Sequence, residues 1–183
     1  GTIKERASAL QGFFKNTKID GILSYWGGYQ SHQLLEYLDF HVIKKNPKPF
    51  IGFSDTTALT VGIFSQTGLV SFSGPAGITF GKPVVPDFTW KHFKNILMYP
   101  NESFTIGQSK EFSDNPWWQE PSKSMIFKPN NGWSVFRKGK AQGHLIGGNL
   151  GTMLLLAGTK FWPKLSKSIL FIEEDESESS RTL

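Results

Sequence analysis

The chain has 183 residues, 38% of them hydrophobic and 14% aromatic, enough for a sizeable core in one or two small domains. It contains no cysteine, which excludes a disulfide framework, a thiol nucleophile and a cysteine-ligated metal. Its formal charge of +5 comes from 20 Lys and Arg scattered against 15 Asp and Glu with no long basic run, so a nucleic-acid partner is not expected.

No window reaches ~18 uninterrupted apolar residues and nothing resembles a signal peptide, so no membrane partner is expected and a cytoplasmic location fits. In the first segment, Ile3, Ala7, Leu10 and Phe14 recur at helical spacing and form one apolar face. The run GILSYW at 21–26 predicts a short buried strand, followed by a GGY turn. SHQLLEYLDF resumes a helical pattern, with Ser31 as a candidate cap and Leu34, Leu35 and Leu38 facing inward. FIGF at 50–53 predicts a second strand, DTTALTVGIFSQTG a helix closed by Gly68, and LVSFSG a third strand.

Short apolar strands alternating with helices predict an α/β fold: a parallel, Rossmann-like or flavodoxin-like sheet with helical crossovers. Ligands in such sheets sit beyond the carboxyl ends of the strands, where Gly27, Gly28 and Ser54 all fall. Past Pro75 the character changes. GKPVVPDF reads as loop and TWKHFKNILMY as a short helix. Residues 99–131, polar and rich in proline and tryptophan, read as an irregular excursion over a binding cleft. GWSVFRKGKAQGHLIGG resembles strand and turn material, NLGTMLLLAGT a helix capped by Asn149, and SILFIEE at 168–174 a strand ending in acid. The expected division is a partial N-terminal α/β nucleophile domain at 1–80, a linker with a Trp-bearing loop at 81–131, and the beginning of a second, mixed β-rich domain at 132–183.

A serine at a strand-to-helix turn stands at the head of the sheet, beside the unpartnered first N–H groups of the helix. Ser54 could there attack a carbonyl while the Asp55 N–H binds the oxyanion. It could equally be a plain helix cap, since the frame GFSDT is not G-x-S-x-G. The adjacent Gly27 and Gly28 either bring main-chain donors close to a ligand or simply make a tight turn. Glu173 ends the run ILFI, where a carboxylate either orients a histidine or is solvated.

The four histidines, His32, His41, His92 and His144, show no metal-binding spacing and supply no identified base. His32 lies beside the glycine pair and His144 precedes LIGGNL, so either could approach a pocket, whereas His41 and His92 read as surface or packing residues. Trp117 and Trp118 either stack on a substrate or plug their loop onto the body of the protein.

The blocks ILSYWGGYQSHQLLEYLDFHVIKKNPKPFIGFSDTTAL, TGLVSFSGP, GHLIGGNLGTMLLLAGT and ILFIEE occur in that order. Together they closely resemble the LD-carboxypeptidase family of serine peptidases, and the long Trp-bearing excursion resembles its microcin C7 self-immunity branch. The resemblance implies Ser54 as nucleophile, the N–H groups of Gly28 and Asp55 as oxyanion hole, and Glu173 as the acid that orients the catalytic histidine. It implies Gly27 and Trp118 in substrate binding, with Trp117 as a competitor for the stacking role. The family's histidine lies downstream of the glutamate, so it is expected outside these residues, which are read as an internal piece with no efficient activity alone. The implied chemistry needs no cofactor and no metal. Its substrate is a muropeptide or a peptidyl-nucleotide conjugate, and the family's habit implies a homodimer. A non-catalytic binding module on the same fold is the alternative.

Overall fold

The computed structural model describes residues 1–174 except 83, 100–102, 117, 118 and 120–124. It divides into two compact units, Gly1–Gly77 with Ala141–Leu183, and Ile78–Lys140.

In the first unit, helix α1 (Ile3–Lys15) opens with a reciprocal cap. The Thr2 hydroxyl accepts from the Glu5 N–H at 3.3 Å, and the Glu5 carboxylate accepts from the Thr2 N–H at 2.7 Å. The bonds from the Thr2 backbone and hydroxyl hold the Glu5 carboxyl below its usual range. Ala7, Leu10 and Phe14 are buried on the inward face, as their spacing predicts.

Strands β1 (Ile22–Leu23), β2 (Phe50–Gly52) and β3 (Phe72–Ser73) form a parallel sheet in that order, with Ile22 opposite Phe50 and Ile51 opposite Phe72. The helical pattern expected at 31–40 is followed by a helix that it did not include. A 3-10 turn covers Ser31–Tyr37, and helix α2 covers Phe40–Lys45. Asp39 causes the restart: its carboxylate accepts from the N–H groups of His41 and Val42 at 2.9 and 3.2 Å, a capping geometry that favours a new helix over continuation of the old one. Leu34, Leu35 and Leu38 are nonetheless all buried.

Helix α3 (Thr57–Thr67) is buried continuously from Thr57 to Ile63, so it is the central element of the unit and not a surface helix. It ends where Gly68 turns left-handed at φ 74° and donates its N–H to the Phe64 carbonyl. Farther along, β6 (His144–Asn149) and β7 (Ser168–Glu173) pair in parallel, from His144 opposite Ser168 to Asn149 opposite Glu173, with the short helix α5 (Leu150–Leu154) between them. Leu156 and Phe161 join the core built by Phe14, Leu35, Ile43, Phe50 and Ile63. The two sequence segments of this unit thus share one core.

The second unit holds helix α4 (Asp87–Leu97) and an antiparallel pair, β4 (Glu111–Phe112) with β5 (Lys128–Pro129). Phe80 packs edge-on to Trp90 and Phe93 at 5.6 and 4.8 Å. With one antiparallel and one parallel pair beyond the first sheet, the later strands are mixed, as expected.

Phe14 is fully buried and meets Phe50 edge-on at 6.3 Å. Phe14→Ala should destabilise the protein by about 3–5 kcal/mol, read as a lowered midpoint in chemical denaturation.

Candidate active site

The turn from β2 into α3 has an unusual backbone. Ser54 stands at φ 56°, a left-handed conformation uncommon for a residue with a side chain. Phe53 before it is extended, and residues Ser54–Thr56 form a single 3-10 turn that runs into α3. A serine acting only as a helix cap sits in the extended region and accepts from the helix's first amides. Ser54 has neither feature: its φ is positive, and among the described residues its hydroxyl makes no capping bond.

The loop after β1 meets this turn. A Cβ on Gly27 would stand 3.0 Å from both Cβ and Oγ of Ser54 and 3.6 Å from the Asp55 nitrogen. Gly28 has φ 153°, and a Cβ there would stand 3.4 Å from Asp55 Oδ2. Only glycine leaves the space above the Ser54 hydroxyl open. Asp55 is buried, and its Oδ2 accepts from the N–H groups of Gln30 and Ser31 at 3.1 and 2.9 Å. The Ser31 hydroxyl donates in turn to the Asp55 carbonyl. The glycine loop and the serine turn are therefore fastened together.

The end of β6 also reaches the start of α3. The Asn149 N–H donates to Thr57 Oγ1 at 3.0 Å, which docks the end of β6 on the first residue of α3. The Asn149 side chain accepts from the Thr152 N–H at 2.9 Å and donates through Nδ2 to Glu174 Oε1 at 2.7 Å. Glu174 Oε2 accepts from the Gly151 N–H at 2.8 Å. Glu173, half-buried at the last position of β7, makes no side-chain hydrogen bond among the described residues.

The family models agree with this layout. The LD-carboxypeptidase N-terminal domain matches residues 1–74, and the LD-carboxypeptidase C-terminal domain matches residues 142–183. The chain belongs to the LD-carboxypeptidase family. It is 40% identical to the microcin C7 self-immunity protein MccF of Escherichia coli, covering 95% of this chain and 52% of that protein. It superposes on a MccF-like protein from Bacillus anthracis strain Ames at TM-score 0.87 and 37% identity, over 96% of this chain and 53% of that one. A muramoyltetrapeptide carboxypeptidase from Oxalobacter formigenes is more distant, at TM-score 0.70 and 28% identity, over 94% and 51%. MccF itself has been solved with aspartyl sulfamoyl adenosine, and as an active-site mutant in which a serine, an asparagine and a lysine are each alanine. The chain spans about half the length of the relatives it matches.

Within this family frame, the structure brings Ser54, Asp55, Gly27 and Gly28 together, and Glu173 ends β7 beside Asn149. Trp117 and Trp118 lie outside the described residues. His92 is a packing residue: its Nδ1 lies 2.7 Å from the Phe88 carbonyl, and its ring meets Phe88 and Phe104. His144 begins β6, at the end of the strand opposite Asn149. His32 has a buried Nδ1 without a partner among the described residues. No group of three His, Asp or Glu among the described residues could hold a metal ion, and no helix there is long and apolar enough to cross a membrane. Asn149 was legible only as a cap. That its amide also holds Glu174 depends on the parallel register of β6 and β7, which no local pattern gives.

Gly27→Ala should crowd Ser54 without touching the core. It should slow modification of Ser54 in the full-length protein by an active-site-directed fluorophosphonate about 100-fold, with unfolding unchanged.

Proposed function

We propose that the whole protein is a serine hydrolase that cleaves an amide by acyl transfer, with Ser54 as nucleophile. The observation that carries this is the left-handed Ser54, presented at the head of a parallel sheet beneath a glycine that leaves its hydroxyl accessible. In this reading a histidine from a part of the protein outside these residues takes the Ser54 proton. Ser54 Oγ then bonds to the substrate carbonyl carbon. The N–H groups of Asp55 and Gly28 receive the oxyanion. The amine departs with the proton returned by the imidazolium, and water hydrolyses the resulting ester. Glu173 orients the histidine, and Asn149 sits at the same strand ends. Without the histidine, residues 1–183 alone should hydrolyse their substrate inefficiently.

For the substrate we favour an aminoacyl-nucleotide amide over a muropeptide. The likeness to MccF, whose complex holds an aspartyl nucleoside analogue, is closer than that to the muramoyltetrapeptide enzyme. Trp118, with Trp117 as competitor, is the candidate for stacking on the base. Cleavage of processed microcin C but not of an L,D-tetrapeptide by the full-length protein is the expected result, and the reverse preference would move the assignment to murein.

Ser54→Ala should lower kcat by at least about 1,000-fold. Unchanged hydrolysis would reject Ser54 as nucleophile.

The two acids should separate. Glu173→Gln is expected to lower kcat about 100- to 10,000-fold with stability unchanged. Glu174→Ala, which removes the bonds to Asn149 and Gly151, should cost about 1–3 kcal/mol in unfolding measurements.

A further inference from the structure

We propose that the Asp55 carboxylate is a positioning residue that holds the glycine loop in register with the Ser54 turn. This rests on the reading of Ser54 as nucleophile and adds a role for a side chain that the reading leaves idle.

The 3-10 turn at Ser31–Tyr37 has no side-chain cap of its own at Gln30. Its leading amides would be orphans. Asp55, 24 and 25 positions away in sequence, receives both on a single oxygen, Oδ2. The Ser31 hydroxyl closes the clasp in the reverse direction, onto the Asp55 carbonyl. Three hydrogen bonds between the two segments are thus at Asp55, and the Thr56 hydroxyl adds one to the Ser24 hydroxyl at 3.2 Å. Gly28 lies directly over Oδ2, and Gly27 over Ser54 and the Asp55 nitrogen. The same residue supplies one oxyanion donor through its main chain and anchors the other through its side chain.

A buried carboxylate beside a developing oxyanion opposes it electrostatically. The benefit of Asp55 must therefore be geometric. Its second oxygen, Oδ1, is buried and has no partner among the described residues, so the carboxylate's part in the clasp rests on Oδ2. An asparagine can present its carbonyl oxygen in the Oδ2 position and keep both amide bonds. Alanine cannot.

The test compares D55A and D55N in the full-length protein. D55A should lower kcat about 100-fold with KM within about threefold, because a misplaced donor is felt in the transition state and hardly in binding. D55N should recover most of that loss. Amide exchange at Gln30 and Ser31 should become fast in D55A and stay protected in D55N. Wild-type kcat in folded D55A, or equal losses in both variants, would overturn the clasp. So would a change in KM alone, or protection at Gln30 and Ser31 that survives in D55A. If D55A does not fold, Asp55→Ser takes its place, a polar side chain too short to reach the Oδ2 position: a roughly tenfold fall in kcat with fast exchange at Gln30 and Ser31 supports the proposal and an unchanged kcat overturns it. The exchange measurement judges the clasp even where Ser54→Ala shows that Ser54 is not the nucleophile, so the two failures are distinguishable.

Discussion

The structure depends on one strained residue held between two rigid elements. A left-handed serine costs about 1–3 kcal/mol and persists only when its surroundings over-determine it. β2 fixes the chain before Ser54 through pairing on both edges, and α3 fixes it after Thr56 through the unbroken burial of Thr57–Ile63. The helix cannot shift to relax the turn without emptying the core around Ile63 and Leu35. Burial of α3 therefore offsets the strain. The hydroxyl is presented because the helix is central, and a surface helix with one apolar stripe would have let the turn unwind.

Around that turn the side chains act as fasteners, and each ties a segment distant in sequence. Asp55 ties the loop after β1, and Thr57 ties the end of β6. Both belong to the first residues after Ser54, so the segments that border the hydroxyl take their positions from the same short stretch. The buried threonines and aspartate of this stretch break the expectation that a core helix begins with apolar residues. Asp55 and Thr57 are there because main-chain N–H groups of the loop after β1 and of the end of β6 need partners.

Much of the first sheet was legible because it rests on local periodicity: Ile3, Ala7, Leu10 and Phe14 on one helix face, the apolar run before Ser54, and Gly68 as a stop. Helix α2 has no such pattern of its own, because an aspartate inside a helical pattern and an aspartate that starts a helix look alike until the amides it binds are known. The backbone angle of Ser54 has no sequence signature in a frame that departs from G-x-S-x-G. The convergence of Gly27 on Ser54 follows from the parallel order of β1 and β2, and alternation of elements suggested that order without giving a distance.

The adjacent acids at the end of β7 show how geometry divides labour that composition leaves undivided. Glu173 is the last residue of β7 and Glu174 the first beyond it, so the chain leaves the ladder between the two acids. Glu174 is committed: both of its oxygens accept hydrogen bonds, from the Asn149 amide and the Gly151 N–H, and it secures the start of α5. A carboxylate so engaged has little capacity left to orient an imidazole. Glu173, level with Asn149 across the parallel pair, has no such commitment among the described residues. Assigning the structural task to the second acid leaves the first available for chemistry. The strand end is thus held by Glu174, and the proposed role of Glu173 asks nothing of the residue that holds it.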